Sequence, residues 1–507
     1  MAFLGLSGIG GLLPARSQVT PNNQRQTETM NTELAYGTHP SDLKLVPPTQ
    51  RVRVGDRKIL RLKRAQDIIE AIAWATVVAV TAMFLIDGGI KEVVDVPTAL
   101  NAVSRLTALV GTDLLLIHML LIARVPWIDK FYGHDKATAA HKKLGKPVLY
   151  MVVAHFLASL ISFAMTQGKD VLTTLWWLIT DVEDMLTATL ALTLMILVVV
   201  TSLNFARRKM SYEAWFIVHL LSYVSVLLAV PHIFTTGSDI AGKPFATIFW
   251  VSLYLFVAFN IVWYRAASPM LRGRLQNLRI HHVVPESSDT TSIYVTGKNI
   301  ANFGAQSGQF YLLRVLTLGQ WYRSHPFSIS AAPNAQFVRF TVGNRGDDTA
   351  ELQTIKPGTR VMLEGPYGVF TEDRRSKEKV VLIASGIGIP PVRSLAESMA
   401  ARPGDLTIIY RVRNEDDASL LAEVREIARR RGFTLHVLSG SRGANNSWMN
   451  ADGSNQPDQA RLILMAPWIS DSDVFLCGPE AWTSLVHKTL IRTGTPEDQI
   501  HSEEYAW

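Results

Sequence analysis

Four histidines stand in two long apolar stretches: His141 and His155 between His141 and Ala164, and His219 and His232 between Tyr212 and Phe234. The spacings, 14 and 13 residues, put roughly 20 Å between the two imidazoles of each helix at the α-helical rise. That is most of the way through a hydrocarbon core of about 30 Å. Fourteen residues is close to four turns, so His141 and His155 share a face. Thirteen falls short, but Pro231 removes a backbone donor just before His232 and lets the helix kink and reorient it. Two helices with two stacked histidines each can hold two metal centres, one above the other. Such pairs suit haem iron, whose axial positions histidine can fill from either side. A single membrane histidine is more often a hydrogen-bonded core residue or a proton-relay group. Four at matched depth, ahead of the motifs described below, favour ligands.

The elements that must position them are six apolar spans, at about 66–87, 99–122, 142–165, 186–204, 212–235 and 246–264. Their loops alternate in charge. Arg124, Lys130, Lys136, Lys142 and Lys143 mark one side, with Arg207, Arg208 and Lys209, then Arg265, Arg272 and Arg274. Asp87, Glu92, Asp95, Asp181, Glu183, Asp184 and Asp239 mark the other. The positive-inside rule then makes both termini cytoplasmic. The third and fifth spans both run outward, which pairs His141 with His219 near the cytoplasm and His155 with His232 near the outer face. Four histidines on two irons leave no open coordination site, so an acceptor takes its electron at a haem edge.

Among 507 residues with a net charge of +7 there is one cysteine, Cys477, which excludes an intramolecular disulfide and covalent haem attachment. Any haem is therefore b-type. The basic residues flank apolar runs instead of forming a soluble patch, which argues against nucleic acid. Residues 1–50 lack periodicity and are expected to be disordered, and Met1 to Leu13 has no basic region of a signal peptide. The run Arg51, Arg53, Arg57, Lys58, Arg61, Lys63 and Arg64 is a cytoplasmic anchor. Within the second span stand Arg105, Asp113 and His118, and intramembrane ionisable groups default to function. Arg105, near the outer end, could neutralise a haem propionate, attract an anionic product or snorkel to the interface. Asp113 and His118 could pair, relay a proton or pack internally.

From Arg272 the pattern becomes soluble and β-rich. Ser292–Val295, Phe310–Val315, Phe337–Val342 and Val361–Leu363 are short, β-branched runs expected in a small antiparallel barrel. Between two of them, Trp321 to Ser330 brings aromatic, hydroxyl and basic groups onto one strand, able to stack on an isoalloxazine and meet its phosphates. Gly343 to Thr349 is a glycine-bearing turn whose amides could cradle a pyrophosphate. Lys379 to Pro391 reads as a buried parallel strand, a glycine turn and a helix start, suited to a dinucleotide phosphate. Leu406–Tyr410, Thr434–Leu438 and Val474–Cys477, with helical stretches such as Ser419–Arg431, continue as α/β alternation. Arg411, Arg413 and Arg442 stand just beyond strand ends, where they could clamp a 2′-phosphate and favour NADPH.

From about residue 66 to 507 this constellation resembles the ferric reductase and NADPH oxidase superfamily, closer to its bacterial members. The resemblance implies a six-helix bis-haem membrane bundle fused to a ferredoxin-reductase-like unit of antiparallel β-barrel and α/β nucleotide domain. It assigns His141, His155, His219 and His232 as haem ligands, and His325, Pro326, Phe327 and Ser328 as the flavin signature. It gives Gly346 and Thr349 to the pyrophosphate turn, and Gly386, Gly388 and Pro391 to the nucleotide turn. Cys477, Gly478 and Pro479 fall near the nicotinamide, Trp507 looks like the aromatic that covers the flavin, and Arg105 resembles an arginine near the outer haem.

The expected domains are a tail at 1–50, a membrane bundle at 51–268, an FAD barrel at 269–376 and an NADPH domain at 377–507. The implied function is a plasma-membrane oxidoreductase with cytoplasmic reductase domains. Electrons pass from NADPH through FAD and two haem b to O2 or a ferric chelate outside, with no partner protein required. The alternatives are an anchored flavin reductase serving a partner protein, or a transporter or anchor with an appended regulatory reductase.

Overall fold

The computed structural model describes residues 56–443, 446–453 and 456–505, so the expectations for residues 1–50 and for Trp507 lie outside the described residues. Among the described residues, six helices are long and apolar enough to cross a bilayer: Leu60–Ile86, Val96–Leu121, Lys136–Gln167, Met185–Ser202, Tyr212–Thr235 and Pro244–Gln276. The third begins earlier than its hydropathy indicates, since the helix starts at His134 and carries Lys136, Lys142 and Lys143 in its first turns. Those lysines are therefore helical, not loop residues. A short helix, Val171–Asp181, capped by Asp170 accepting from Leu172 and Thr173, occupies the connection read as a plain loop. Helical hydrogen bonding continues past Pro231 in the fifth span and past Pro147 in the third.

The second and third spans pack closely where Gly111 lies beside Met151; a β-carbon on that glycine would sit 3.0 Å from the Met151 β-carbon. The fourth and fifth are joined by Ser225, whose hydroxyl donates to the Ala191 carbonyl at 2.6 Å. A buried polar bond of this kind fixes helix rotation where apolar packing against lipid does not.

The soluble half begins with two three-stranded antiparallel sheets. One is ordered β1 (Arg279–Pro285), β2 (Thr290–Thr296), β5 (Val338–Gly343); the other β4 (His325–Ser328), β3 (Phe310–Val315), β6 (Val361–Tyr367). They close over a core of Ile293, Val295, Leu313, Phe327, Phe340 and Leu363. A five-stranded parallel sheet follows, ordered β11 (Ile500–Tyr505), β10 (Asp473–Pro479), β7 (Val380–Ser385), β8 (Leu406–Arg411), β9 (Thr434–Leu438). The near-continuous apolar β7 is buried on both faces, as parallel strands must be.

Barrel and sheet are locked by buried charges. Arg339 on β5 donates to both Glu423 carboxylate oxygens at 2.7 and 2.9 Å, and Arg393 donates to Glu423 at 2.7 Å and also bonds Glu397. Burial alone would push the Glu423 carboxyl up, but the Arg339 and Arg393 guanidiniums outweigh it and hold it down to about 2, against an ordinary 4.5. A depressed carboxyl contributes stability above its ordinary value, lost as pH falls through the folded one. The unfolding midpoint of the purified protein should therefore decline between about pH 4.5 and 2 through this group. Glu423→Ala, which strands two buried cations, should cost about 3–5 kcal/mol at neutral pH, read by thermal or denaturant unfolding, and should remove that part of the acid dependence.

Candidate functional site

The third and fifth spans bring the four histidines together in two pairs. The His141 and His219 ring centroids are 6.2 Å apart, and those of His155 and His232 are 6.3 Å apart. Two imidazoles each about 2 Å from a shared metal would have centroids roughly 6 Å apart, so each pair leaves the gap that one bis-histidine iron needs. Every Nδ1 is engaged elsewhere. That of His155 meets the Ser104 hydroxyl at 2.9 Å, His141 the His118 carbonyl at 3.0 Å, His219 the Ser202 hydroxyl at 3.3 Å, and His232 the Thr236 hydroxyl at 2.7 Å. Such partners fix ring orientation and leave Nε2 as the nitrogen for a metal. Among the described residues no three or more His, Cys, Asp or Glu cluster as a metal site, so these pairs suit a metal that brings its own equatorial ligands.

Sequence reasoning missed Ser104, Ser202 and Thr236, hydroxyls at one-turn or cross-helix distance from a histidine. It also missed that His118 lies flat on His141, with ring centroids 3.7 Å apart and planes 6° from parallel. His118 is therefore not paired with Asp113. The Asp113 carboxylate instead accepts from Thr76 at 3.0 Å. Arg105 is held by carboxylates: its Nε donates to Asp239 at 2.9 Å and its two terminal nitrogens bind Asp239 at 2.5 Å and Glu92 at 2.6 Å. With its donors so committed, it braces the second span against flanking loops.

The flavin barrel meets the end of the bundle nearest His141 and His219. His134, two turns before His141, stacks on Tyr367 of β6 at 5.3 Å and edges Phe310 of β3 at 6.0 Å. Arg323, just before the His325–Ser328 strand, pairs with Glu213 in the first turn of the fifth span at 3.3 Å. Arg124, a non-glycine residue at φ +60°, pairs with buried Glu364, which also meets Arg314 at 3.5 Å. At about 1.5 Å rise per residue these contacts lie roughly 10 Å along each helix from His141 and His219.

Within β4, Phe327 and Ser328 are buried, Pro326 is exposed and His325 half-buried, with the His325 and Phe327 rings stacked at 6.0 Å. β4 lies against β3 in antiparallel register, Phe310 opposite Ser328. At the end of β5, Thr349 receives the Arg345 amide at 2.7 Å and donates to the Gly346 carbonyl at 2.9 Å, which closes the glycine turn. Gly343 abuts Ile387 of the second glycine turn, 3.2 Å from an added β-carbon, so the two phosphate-type turns are neighbours. At Gly346 and Gly386 a β-carbon would point into open space, the cradle that a pyrophosphate or dinucleotide needs beside backbone amides.

Gly388 is packed instead: its β-carbon would sit 2.3 Å from the Cys477 carbonyl oxygen and 3.0 Å from the Gly478 nitrogen. The Gly386–Gly388 turn, Pro391 in the first turn of Ile389–Ser398, and the Cys477–Pro479 strand end thus converge. The Cys477 thiol does not join them. It is fully buried in the apolar core with Val380, Leu382 and Phe475. Arg411 is engaged by backbone. Its guanidinium donates to the Leu438 and Gly440 carbonyls at 3.0 and 2.7 Å, which end β9, whereas Arg413 and Arg442 remain exposed. Burial, with Arg442 and Arg413 nearby, pushes Arg411 below its ordinary pKa.

Gly388→Ala is expected to lower dinucleotide affinity at least tenfold, because two backbones cannot yield as a side chain could. Fluorescence titration with NADPH measures the loss, and FAD content should stay near that of the parent, since the flavin turns are untouched.

Comparison with known proteins agrees with this layout. Residues 107–230 match the ferric reductase like transmembrane component, 275–371 an FAD-binding domain and 382–488 the oxidoreductase NAD-binding domain. Flavohemoprotein A of Dictyostelium discoideum is 26% identical over 239 residues, 43% of this chain and 57% of that protein. The ferredoxin reductase component of 3-ketosteroid-9-alpha-monooxygenase from Mycolicibacterium smegmatis is 26% identical over 46% of this chain and 67% of its own. Ferredoxin–NADP reductase B of Sorangium cellulosum is 30% identical over 39% of this chain and 85% of its own length. This chain thus spans little more than half of flavohemoprotein A. With the ferric reductase component ahead of those two domains, the chain belongs to the ferric reductase and NADPH oxidase superfamily, as a membrane flavin and NAD(P)H oxidoreductase.

Proposed function

We propose that the protein moves electrons across a plasma membrane, from cytoplasmic NADPH to O2 or a ferric chelate outside. The observation that carries this reading is the pair of histidine gaps, 6.2 and 6.3 Å, with all four Nδ1 atoms engaged. His141 and His219 would hold the inner haem b, His155 and His232 the outer. When bound, FAD accepts a hydride and releases electrons singly, and the haems pass single electrons; the redox chemistry is the cofactors' own.

The chain's residues supply position. Gly386, Gly388 and Gly478 let backbone approach the dinucleotide, and exposed Arg413 and Arg442 would meet its 2′-phosphate. His325 to Ser328 would hold the flavin, with Gly346 and Thr349 shaping the turn at its pyrophosphate. The Arg323 to Glu213 contact keeps that strand over the inner pair. Engaged Nδ1 atoms hold each ring in the orientation that leaves Nε2 for iron. Both termini and the reductase would be cytoplasmic, with the membrane unit at 51–268, the flavin unit at 269–376 and the nucleotide unit at 377–507.

His232→Ala and His219→Ala should each leave about half of the parental haem, measured by pyridine haemochrome per chain, with FAD retained. Full haem in both variants would refute the ligand assignment. Arg413→Ala should reduce the preference for NADPH over NADH about tenfold, a change in kcat/KM for NADPH alone, whereas Arg411→Lys should act on stability.

A further inference from the structure

The segment joining β3 to β4, from Leu316 to Arg323, ends in the Arg323 contact described above, and its Leu318, Trp321 and Tyr322 precede the His325–Ser328 strand. Amides of Gln320 and Trp321 donate to the Thr317 carbonyl at 3.2 and 3.1 Å, and that of Arg323 to the Gln320 carbonyl at 3.0 Å, winding the segment into helical turns. Residues three and four apart then share a face. Leu318, Trp321 and Tyr322 have this spacing and are 98%, 58% and 47% exposed, while Gln320 is turned inward at 3%. A leucine and two aromatics presented together form an apolar patch of the kind that marks an interaction site.

Location identifies what covers it. Arg323 stands over the Tyr322 ring at 5.3 Å and pairs with Glu213, in the first turn of the fifth span, at 3.3 Å. Arg314 donates to the Trp321 carbonyl at 3.2 Å and pairs with Glu364, which also holds Arg124 just beyond the second span. Two ion pairs therefore fix the turn at the ends of membrane helices. The adjoining surface of the fifth span is itself apolar, with Tyr212 59% and Ile217 65% exposed, and Arg208 and Lys209 are exposed in the link that precedes it. Apolar groups at bilayer depth beside cations at headgroup depth suit a lipid surface.

We propose that Leu318, Trp321 and Tyr322 form a foot that enters the headgroup and acyl boundary of the bilayer beside the fifth span. Leu318 reaches the acyl chains, and the two aromatics sit at the interface. Because β4 starts two residues after Arg323, the foot sets the height of His325 to Ser328 above the inner histidine pair. This inference rests on the reading of the spans and is independent of the haem assignment.

The lone cysteine, Cys477, is fully buried, so Leu318→Cys offers one accessible thiol for a nitroxide label. The full chain is placed in nanodiscs of phosphatidylcholine and phosphatidylglycerol, and power saturation compares collisions with O2 against a water-soluble nickel chelate. Labels at Leu227, 70% exposed on the fifth span, and at Leu464, 71% exposed in the nucleotide domain, serve as lipid and water references. The foot is supported by an O2-to-nickel ratio at residue 318 several-fold above that at 464 and below that at 227. A ratio at 318 equal to that at 464, with 227 in lipid, overturns the foot alone. Shielding of 318 from both reagents overturns it in favour of a protein contact, and a label at 227 that reports water overturns the span reading as well.

Discussion

Imidazoles inside a membrane bundle have no water to satisfy them, so the protein must provide a polar partner for every ring that it keeps there. The partners chosen here decide the architecture. Ser104 and the His118 carbonyl on the second span, Ser202 on the fourth and Thr236 on the fifth each take one Nδ1. Two of the six spans thus serve as brackets that turn the histidines of the third and fifth toward each other. Helix rotation in lipid is otherwise weakly specified, because lipid tails are as apolar as leucine. Ser225 on Ala191 and Gly111 against Met151 add the close approaches that hold the brackets in place.

A second set of contacts, ionic and aromatic, carries that geometry into the soluble half. Arg323 with Glu213, the Arg124, Glu364 and Arg314 cluster, and His134 on Tyr367 fix the flavin barrel to the end of the bundle nearest His141 and His219. Arg339, Glu423 and Arg393 then fix the nucleotide domain to the barrel. Replacing such pairs by apolar groups is often neutral in stability, whereas removing one partner is severe. Orientation is the property they supply here, and electron transfer between cofactors held on separate domains depends on it.

Much of this was legible because the signals are local. An apolar run long enough to span, a histidine spacing close to whole turns and a strand ending in Gly386 and Gly388 each state their geometry in one stretch of chain. Other placements depend on residues far away. Arg411, Arg413 and Arg442 all stand past strand ends, and nothing local tells which one faces the Leu438 and Gly440 carbonyls. Arg105 shows no partner in its own stretch of chain until Asp239, 134 positions on, is folded against it. Cys477 belongs to a motif at a cleft, yet strand alternation turns its thiol into the core. β11 was missed because Ile500 to Tyr505 carries little apolar pattern, and its pairing with β10 alone makes it a strand.

The central claim, a transmembrane path through two histidine pairs, is tested most directly by the optical spectrum of the purified protein with FAD, before and after anaerobic addition of NADPH. The account predicts two b-type haems per chain, both reduced by NADPH. A protein that binds FAD and oxidises NADPH but contains no haem would contradict it, leaving the four imidazoles as packing groups of a membrane-anchored flavin reductase.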